Sequence, residues 1–343
     1  MPTTSSTRLE KRPQSPLLDG GGPRATVLAV ASHLPVGVLT NLQLEAMVDT
    51  SHTWIMERTG IRQRHRAGSG ETTSEMGAAA ARVALRQAGD PVIDAIICAT
   101  CTPDTSVPAA ACLIQRRLGL PGNIPAFDIN AVCSGYIYGL TVARSLVETG
   151  TARHVLLVAA ESLTSLVDYR DRATCVLFGD GAAATVIGAT GEGGVVATRW
   201  GADGGQAELI FYGPSESPDA AGDGIRMTGR GTFRLAVERL CEMTAGLCSD
   251  AGWSVDDVDV FVPHQANLRI IEAAAKRVGI PMDRVVVNVE SVGNTSAASI
   301  PIALAQAQAE GRLKPGTRVV CAAFGAGTTW GGAALQWTAA PSS

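Results

Sequence analysis

Val258-Asp-Val-Phe-Val-Pro-His264, a strand-like run leading into a helical segment that ends Lys276-Arg-Val-Gly-Ile-Pro281, decides the fold, because the chain has used the same order once before. Val92-Ile-Asp-Ala-Ile-Ile-Cys-Ala-Thr100 leads into a helical segment ending Arg116-Arg-Leu-Gly-Leu-Pro121. After each Gly-x-Pro comes a strand and then a polar junction that opens a helix. Cys133 occupies the first junction and Asn294 the second. A further strand follows each helix, His154-Val-Leu-Leu-Val-Ala-Ala160 and Thr317-Arg-Val-Val-Cys-Ala-Ala323. Each copy closes on a Gly-rich turn, Phe178-Gly-Asp-Gly181 and Phe324-Gly-Ala-Gly327. Such self-similarity marks a duplicated structural unit. Strands alternating with helices predict an α/β fold with mostly parallel sheets covered by helices. Two copies predict two related βαβ halves, residues 24–190 and 191–343, packed about a pseudo-twofold axis with buried helices between their sheets. Loops of both halves then converge, bringing Cys133, His264 and Asn294 together from distant parts of the chain.

The run Pro125-Ala-Phe-Asp-Ile-Asn-Ala-Val-Cys-Ser-Gly135 places Cys133 at a strand-to-helix junction, within the first helical turn. Unpaired N–H groups and the positive end of the helix dipole stabilise a thiolate there, so the thiol pKa is expected to fall.

Composition narrows the alternatives. A chain of 343 residues is long enough for one large domain or two ordinary halves. A formal charge of −4 gives no general reason to expect nucleic-acid or membrane affinity. No apolar run reaches membrane-span length and no signal-peptide core is present, so the expectation is a cytoplasmic protein. Residues 1–23, rich in Ser, Thr, Pro and Gly, are expected to form a mobile arm. Eight cysteines in a chain this long are not a disulfide framework. Cys98-Ala-Thr-Cys101 lacks a second pair and a His cluster, and lies at a strand end, so no metal site is expected. Cys112, Cys175, Cys241, Cys248 and Cys321 are expected to pack as small hydrophobes.

The motifs are specific: Asp128-Ile-Asn-Ala-Val-Cys-Ser-Gly135, Val262-Pro-His-Gln-Ala-Asn267, Val292-Gly-Asn-Thr-Ser-Ala-Ala-Ser299, Ala323-Phe-Gly-Ala-Gly-Thr-Thr-Trp-Gly331 and Thr53-Trp-Ile-Met-Glu-Arg-Thr-Gly-Ile-Arg62. Through them the chain, from about residue 25 to 338, resembles β-ketoacyl-[acyl-carrier-protein] synthase III of the thiolase superfamily. The resemblance implies a thiolase-like, layered α-β-α-β-α sandwich. It implies an enzyme that condenses an acyl-CoA starter with malonyl-carrier protein and releases carbon dioxide, initiating fatty-acid or polyketide synthesis without a cofactor. In that chemistry a Cys133 thiolate takes the acyl group. Backbone N–H groups of Cys133 and of the turn at Ala326 hold the oxyanion. His264 and Asn294 donate hydrogen bonds to the enolate left by decarboxylation. Asn at 294 carries no charge to stabilise an imidazolium, which suits enolate stabilisation better than base catalysis.

The same resemblance puts CoA against Thr50, Trp54, Arg58, Arg172 and Phe233, with stacking on Trp54 and phosphate pairing by the arginines. It puts the acyl group against Leu163 and Phe178, with Val107 contributed by the partner subunit of a homodimer. Val107 stands where the family often has Phe, which leaves room for starters larger than acetyl. Arg230 departs from the family pattern, which usually has Asn there. Carrier proteins are acidic, so a chain of negative net charge needs a local basic patch. Arg269, Lys276 and Arg277 share one face of the helix near residues 266–278, and motif alignment adds Arg234. Three other readings stay open: an acyltransferase that does not condense, a degradative thiolase, and a silent subunit. A thiolase would use a second cysteine in the C-terminal Gly-rich loop, whereas Cys321 lies in the strand before it. A silent subunit could dispense with Cys133.

Overall fold

The computed structural model describes residues 24–213 and 223–339. The expected N-terminal arm, residues 1–23, lies outside the described residues. Nine strands carry two sheets: β1 Arg24–His33, β2 Ala95–Ala99, β3 Ala126–Ile129, β4 Val155–Ser162, β5 Asp180–Thr190, β6 Gly194–Ala202, β7 Val260–Pro263, β8 Arg318–Gly325 and β9 Thr329–Gln336. Seven helices build the layers: α1 His52–Thr59, α2 Thr73–Gln87, α3 Ala110–Leu118, α4 Gly135–Glu148, α5 Gly229–Ala251, α6 Leu268–Val278 and α7 Ser299–Ala309.

The first sheet runs β1-β5-β4-β2-β3 and the second β7-β8-β9-β6. Parallel pairing joins β2 to β3, β2 to β4 and β7 to β8; the remaining pairs are antiparallel. Superposing the orders makes β2 the counterpart of β7, β4 of β8, β5 of β9 and β1 of β6. The expected duplication is present.

One strand of the repeat is reduced. The sequence predicts a strand after Pro281 to match β3, but the chain there forms only a single parallel bridge, Phe261 to Val285. Gln265 supplies the physical reason. Its amide donates to Pro263 O (2.9 Å) and Val286 O (3.0 Å), and its Oε1 accepts from the N–H groups of Asn288 (2.9 Å) and Val289 (3.2 Å). A buried side chain thus satisfies backbone groups that a ladder would otherwise pair.

Strand alternation sorts the core into three layers. Ile97, Ala99, Leu157 and Ala159 of the first sheet and Val319, Cys321 and Ala323 of the second face one central cluster. Ile137 and Leu140 of α4 and Ile300 and Leu304 of α7 fill it. The alternate residues Ile96, Cys98, Leu156 and Val158 face α2 and α3. Val320, Ala322 and Ala334 face α5 and α6. Helix α7 is buried along nearly its whole surface, as its apolar composition requires for a central helix. The result is the layered α-β-α-β-α sandwich.

Candidate active site

A cavity of about 840 Å³ opens where the two halves meet. Cys133, His264 and Asn294 all lie on its wall. Cys133 and His264 reach it from the C-terminal ends of strands, and Asn294 from the residues after the short helical turn Val289–Val292. Cys133 follows β3 in a short 3₁₀ turn, Val132–Ser134, that runs into α4. His264 directly follows β7, its N–H donating to Ala322 O at 2.8 Å.

Asn294 is stitched across to the first half. Its N–H donates to Leu177 O and its carbonyl accepts from Gly179 N, both at 2.9 Å. That pairing needs two glycines. A Cβ on Gly179 would stand 2.5 Å from Val292 O, and one on Gly293, where φ is +79°, would stand 2.7 Å from Arg64 Cβ. Arg64 itself is buried, donating to Leu39 O, Asn41 Oδ1 and Val176 O. Burial lowers its pKa to about 10, so it remains a cation that organises backbone at ordinary pH.

The two junctions are not equivalent at the positions the sequence suggests. Asn130 Oδ1 accepts from Val132 N (3.3 Å), and Asn294 Oδ1 accepts from Ser296 N (2.9 Å). Val132 and Ser296 both have left-handed backbone, φ +46° and +48°. The counterpart of Asn294 is therefore Asn130, and that of Cys133 is Ala297. The three-residue offset escaped the sequence because Gly-x-Pro punctuation aligns elements, not individual turn residues.

Electrostatics also corrects one expectation. The Cys133 thiol is not depressed by its helix terminus. Burial pushes it up to about 12, and the nearby Glu161 carboxyl adds to the rise. The Ser296 hydroxyl and the Cys133 N–H oppose that rise without overcoming it. Removing the thiolate from water costs more than the local dipole returns. His264 shifts in the matching sense: burial alone lowers its pKa to about 3, so the imidazole is neutral. Its Nδ1 is buried without a partner. The Asn294 amide is oriented by the bond its Oδ1 accepts, which leaves the NH₂ group as the donor available to the cavity. Two neutral donors thus share one wall.

The expected acyl and CoA residues divide. Trp54, Arg58, Phe233, Leu163 and Phe178 line the cavity, as does Ala326 of the turn. Gly325 packs directly on the Cys133 backbone, since a Cβ there would lie 2.9 Å from Cys133 N. Arg172 stands behind Trp54, its guanidinium 5.1 Å from the ring centroid, with Arg58 at 5.9 Å. Thr50 is not among the lining residues, and its hydroxyl is buried without a partner. Val107 is off the wall and 83% exposed. At the mouth Arg269 lies 5.8 Å from the Phe233 ring, and Arg230 joins the lining. Arg234, Arg269, Lys276 and Arg277 are all exposed, Arg234 on α5 and the others on the adjoining α6.

Sequence reasoning missed part of the site. Ile210, Phe211 and Tyr212, on a strand that pairs with Gly224–Met227, line the cavity, and no periodicity in that Gly-rich region announces them. Cys101 also reaches the wall. Its N–H and thiol donate to the buried Glu161 carboxyl (3.1 and 3.4 Å), which also accepts from Thr102 Oγ1 (2.7 Å) and Thr100 Oγ1 (3.2 Å). Burial raises the Glu161 pKa against those donors.

Known proteins resemble this chain over most of its length. The 3-oxoacyl-[acyl-carrier-protein] synthase III family matches residues 127–204, and its C-terminal part matches residues 248–337. The β-ketoacyl-[acyl-carrier-protein] synthase III of Rhizorhabdus wittichii is 47% identical over 318 residues, covering 92% of this chain and 99% of that protein. The enzyme of that name from Nitratidesulfovibrio vulgaris is 47% identical over 321 residues, covering 91% of this chain and 97% of its own. Among solved structures, the Aquifex aeolicus 3-oxoacyl-[acyl-carrier-protein] synthase III superposes with a TM-score of 0.86 at 43% identity, covering 92% of this chain and all of that one. A priming β-ketosynthase from a polyketide biosynthetic pathway superposes with a TM-score of 0.88 at 36% identity, covering 95% of this chain and all of that one.

These likenesses define an acyl-transferring, thiolase-fold condensing enzyme. Its reaction joins an acyl starter to a malonyl unit with loss of carbon dioxide and opens fatty-acid or polyketide synthesis. The chain belongs to the β-ketoacyl-[acyl-carrier-protein] synthase III family.

Proposed function

We propose that Cys133, His264 and Asn294 divide the condensation between them. The observation that carries this reading is their convergence on one cavity wall, with a thiol on one side and two neutral donors on the other. In the first half-reaction the Cys133 sulfur bonds to the starter carbonyl, the carbonyl–CoA sulfur bond breaks, and the thiol proton leaves with CoA. Backbone N–H groups of Cys133 and Ala326 receive the oxyanion. In the second, the carbon–carboxylate bond of malonyl-carrier protein breaks and its electron pair forms an enolate. His264 and Asn294 donate to the enolate oxygen, and the α-carbon attacks the acyl-Cys133 carbonyl. The Cys133–carbonyl bond then breaks and the thiolate is reprotonated from solvent. A His264 held neutral suits this role, because a donor that never titrates near neutrality does not switch off.

Acyl-CoA is placed with its nucleotide at Trp54, Arg58 and Arg172, beside Thr50, and its pantetheine arm past Phe233. The acyl chain lies against Leu163 and Phe178. The exposure of Val107 supports a homodimer in which it closes the partner's acyl pocket, with the smaller side chain accepting longer or branched starters. Malonyl-carrier protein docks on Arg234, Arg269, Lys276 and Arg277. Residues 24–190 supply the nucleophile and residues 191–343 the donors, in a cytoplasmic enzyme whose own residues supply the chemistry without a cofactor.

Incubation with a panel of acyl-CoAs, followed by intact mass with and without malonyl-carrier protein, tests this reading. The expected result is an adduct on Cys133 that clears as β-ketoacyl-carrier protein with carbon dioxide release. An adduct that clears only to a non-malonyl acceptor would overturn the roles given to His264 and Asn294. No adduct from any starter would overturn that of Cys133.

A further inference from the structure

Ser296 occupies an unusual position for a serine. Its backbone is left-handed, φ +48°, a conformation that costs a non-glycine residue stability and is retained where the surroundings impose it. The bond from its N–H to Asn294 Oδ1 is part of what imposes it. The side chain, on a residue 1% exposed, points a buried hydroxyl with no fully formed hydrogen bond into the cavity wall that also holds Cys133 and Cys101. Behind it lies Glu161, fully buried and already fastened to Cys101 and Thr102. The hydroxyl stands close enough to Cys133, Cys101 and Glu161 to favour the ionised form of each. A buried hydroxyl that is not fully satisfied can take up an acceptor that forms during a reaction.

We propose that Ser296 is a further catalytic residue: its hydroxyl donates a hydrogen bond to the Cys133 sulfur whenever that sulfur carries negative charge, with Cys101 and Glu161 holding it in place. The proposal rests on Cys133 being the nucleophile. Ser296 keeps its own proton throughout. The thiol proton of Cys133 leaves with CoA in the first half-reaction, and solvent returns one after the second. The hydroxyl is therefore used twice, as the sulfur attacks the starter and as it departs from the product. Between those events the acyl thioester is neutral and the bond relaxes. The other titratable groups facing this point are Cys101 on the same wall, Glu161 buried behind it, and His264 in the same cavity.

Ser296→Ala and Ser296→Gly test this together, because both remove the hydroxyl while only glycine suits the left-handed backbone. Three rates are read: alkylation of Cys133 by iodoacetamide against pH, acylation by acyl-CoA, and decarboxylation of malonyl-carrier protein without a starter. In both variants the alkylation profile is expected to shift about one to two pH units upward and acylation to slow about ten- to a hundredfold. Decarboxylation, which leaves Cys133 unused, is expected to stay within about twofold. Unchanged alkylation profiles in both variants would overturn the proposal. So would a loss in Ser296→Ala that Ser296→Gly restores, since the backbone would then be the cause. An unaltered enzyme that neither alkylates nor acylates at Cys133 would overturn the nucleophile assignment first and this proposal with it.

Discussion

At residues 130–135 and again at 294–299 the chain makes one turn twice. An Asn accepts the N–H two residues on, that residue sits near φ +47°, a 3₁₀ turn follows, and a long central helix begins. In the first copy Asn130, Val132 and Cys133 all reach the cavity. In the second, Asn294 and Ser296 reach it, while Ala297, at the position equivalent to Cys133, packs against Gly135. The duplicated turn is a mount that offers several side-chain positions to one cavity. Which position carries chemistry is set by how far each copy is pushed into the interface. Each copy holds a residue in a backbone region that costs roughly 1–3 kcal/mol. For Val132, β-branched, the conformation is the more unfavourable of the two.

If the first turn serves acyl transfer and the second decarboxylation, substitutions should separate the two half-reactions. Cys133→Ala should lose the acyl adduct and cut overall condensation by about a thousandfold or more, while decarboxylation of malonyl-carrier protein persists in a starter-free assay. Asn294→Asp keeps the acceptor for Ser296 N but removes the NH₂ donor and adds charge beside a developing enolate. It should slow decarboxylation by about a hundred- to a thousandfold and change Cys133 acylation several-fold at most. Equal losses in both assays would break the division of labour. Gly325→Ala pushes a methyl to 2.9 Å from Cys133 N, so it should disturb the first turn alone. Acylation is expected to fall about tenfold to a hundredfold, with decarboxylation nearly intact.

A smaller effect comes from His264. Its folded pKa, about 3, lies below its ordinary 6.5, so the unfolded chain binds the extra proton between those values. Stability contributed by the neutral ring is complete above pH 6.5 and is lost on acidification, by up to about 1.4 kcal/mol per pH unit. Urea unfolding at pH 6 and pH 4 should therefore show a weaker pH dependence in His264→Gln than in the unaltered chain. The smallest effect is expected at the rim, where Arg269→Ala should raise the KM for the malonyl-carrier substrate about three- to tenfold and leave the acyl-CoA adduct rate unchanged.

The duplicated architecture was legible because each strand and helix announces itself by local pattern. The two motifs around Cys133 and Asn294, together with His264, were legible for the same reason. What the sequence concealed depends on distant packing. The helix-terminus argument for a depressed Cys133 pKa considered only neighbours in sequence, whereas the sulfur's enclosure is built by residues such as Glu161 and Ser296 from other elements. The reduced strand at Val285 was invisible because a side chain, that of Gln265, replaced its ladder. The Ile210–Gly213 strand carries no periodic signature, yet it forms part of the wall.

Gln265 has a mechanical consequence as well. Sitting next to His264, it grips Pro263 behind and Asn288 and Val289 ahead, five residues before Asn294 in the chain. His264 and the segment leading to Asn294 therefore ride on one clamp. Asn294 is bonded in turn to Leu177 and Gly179 of the first half, so the spacing between His264, Asn294 and Cys133 is held from both sides of the cavity.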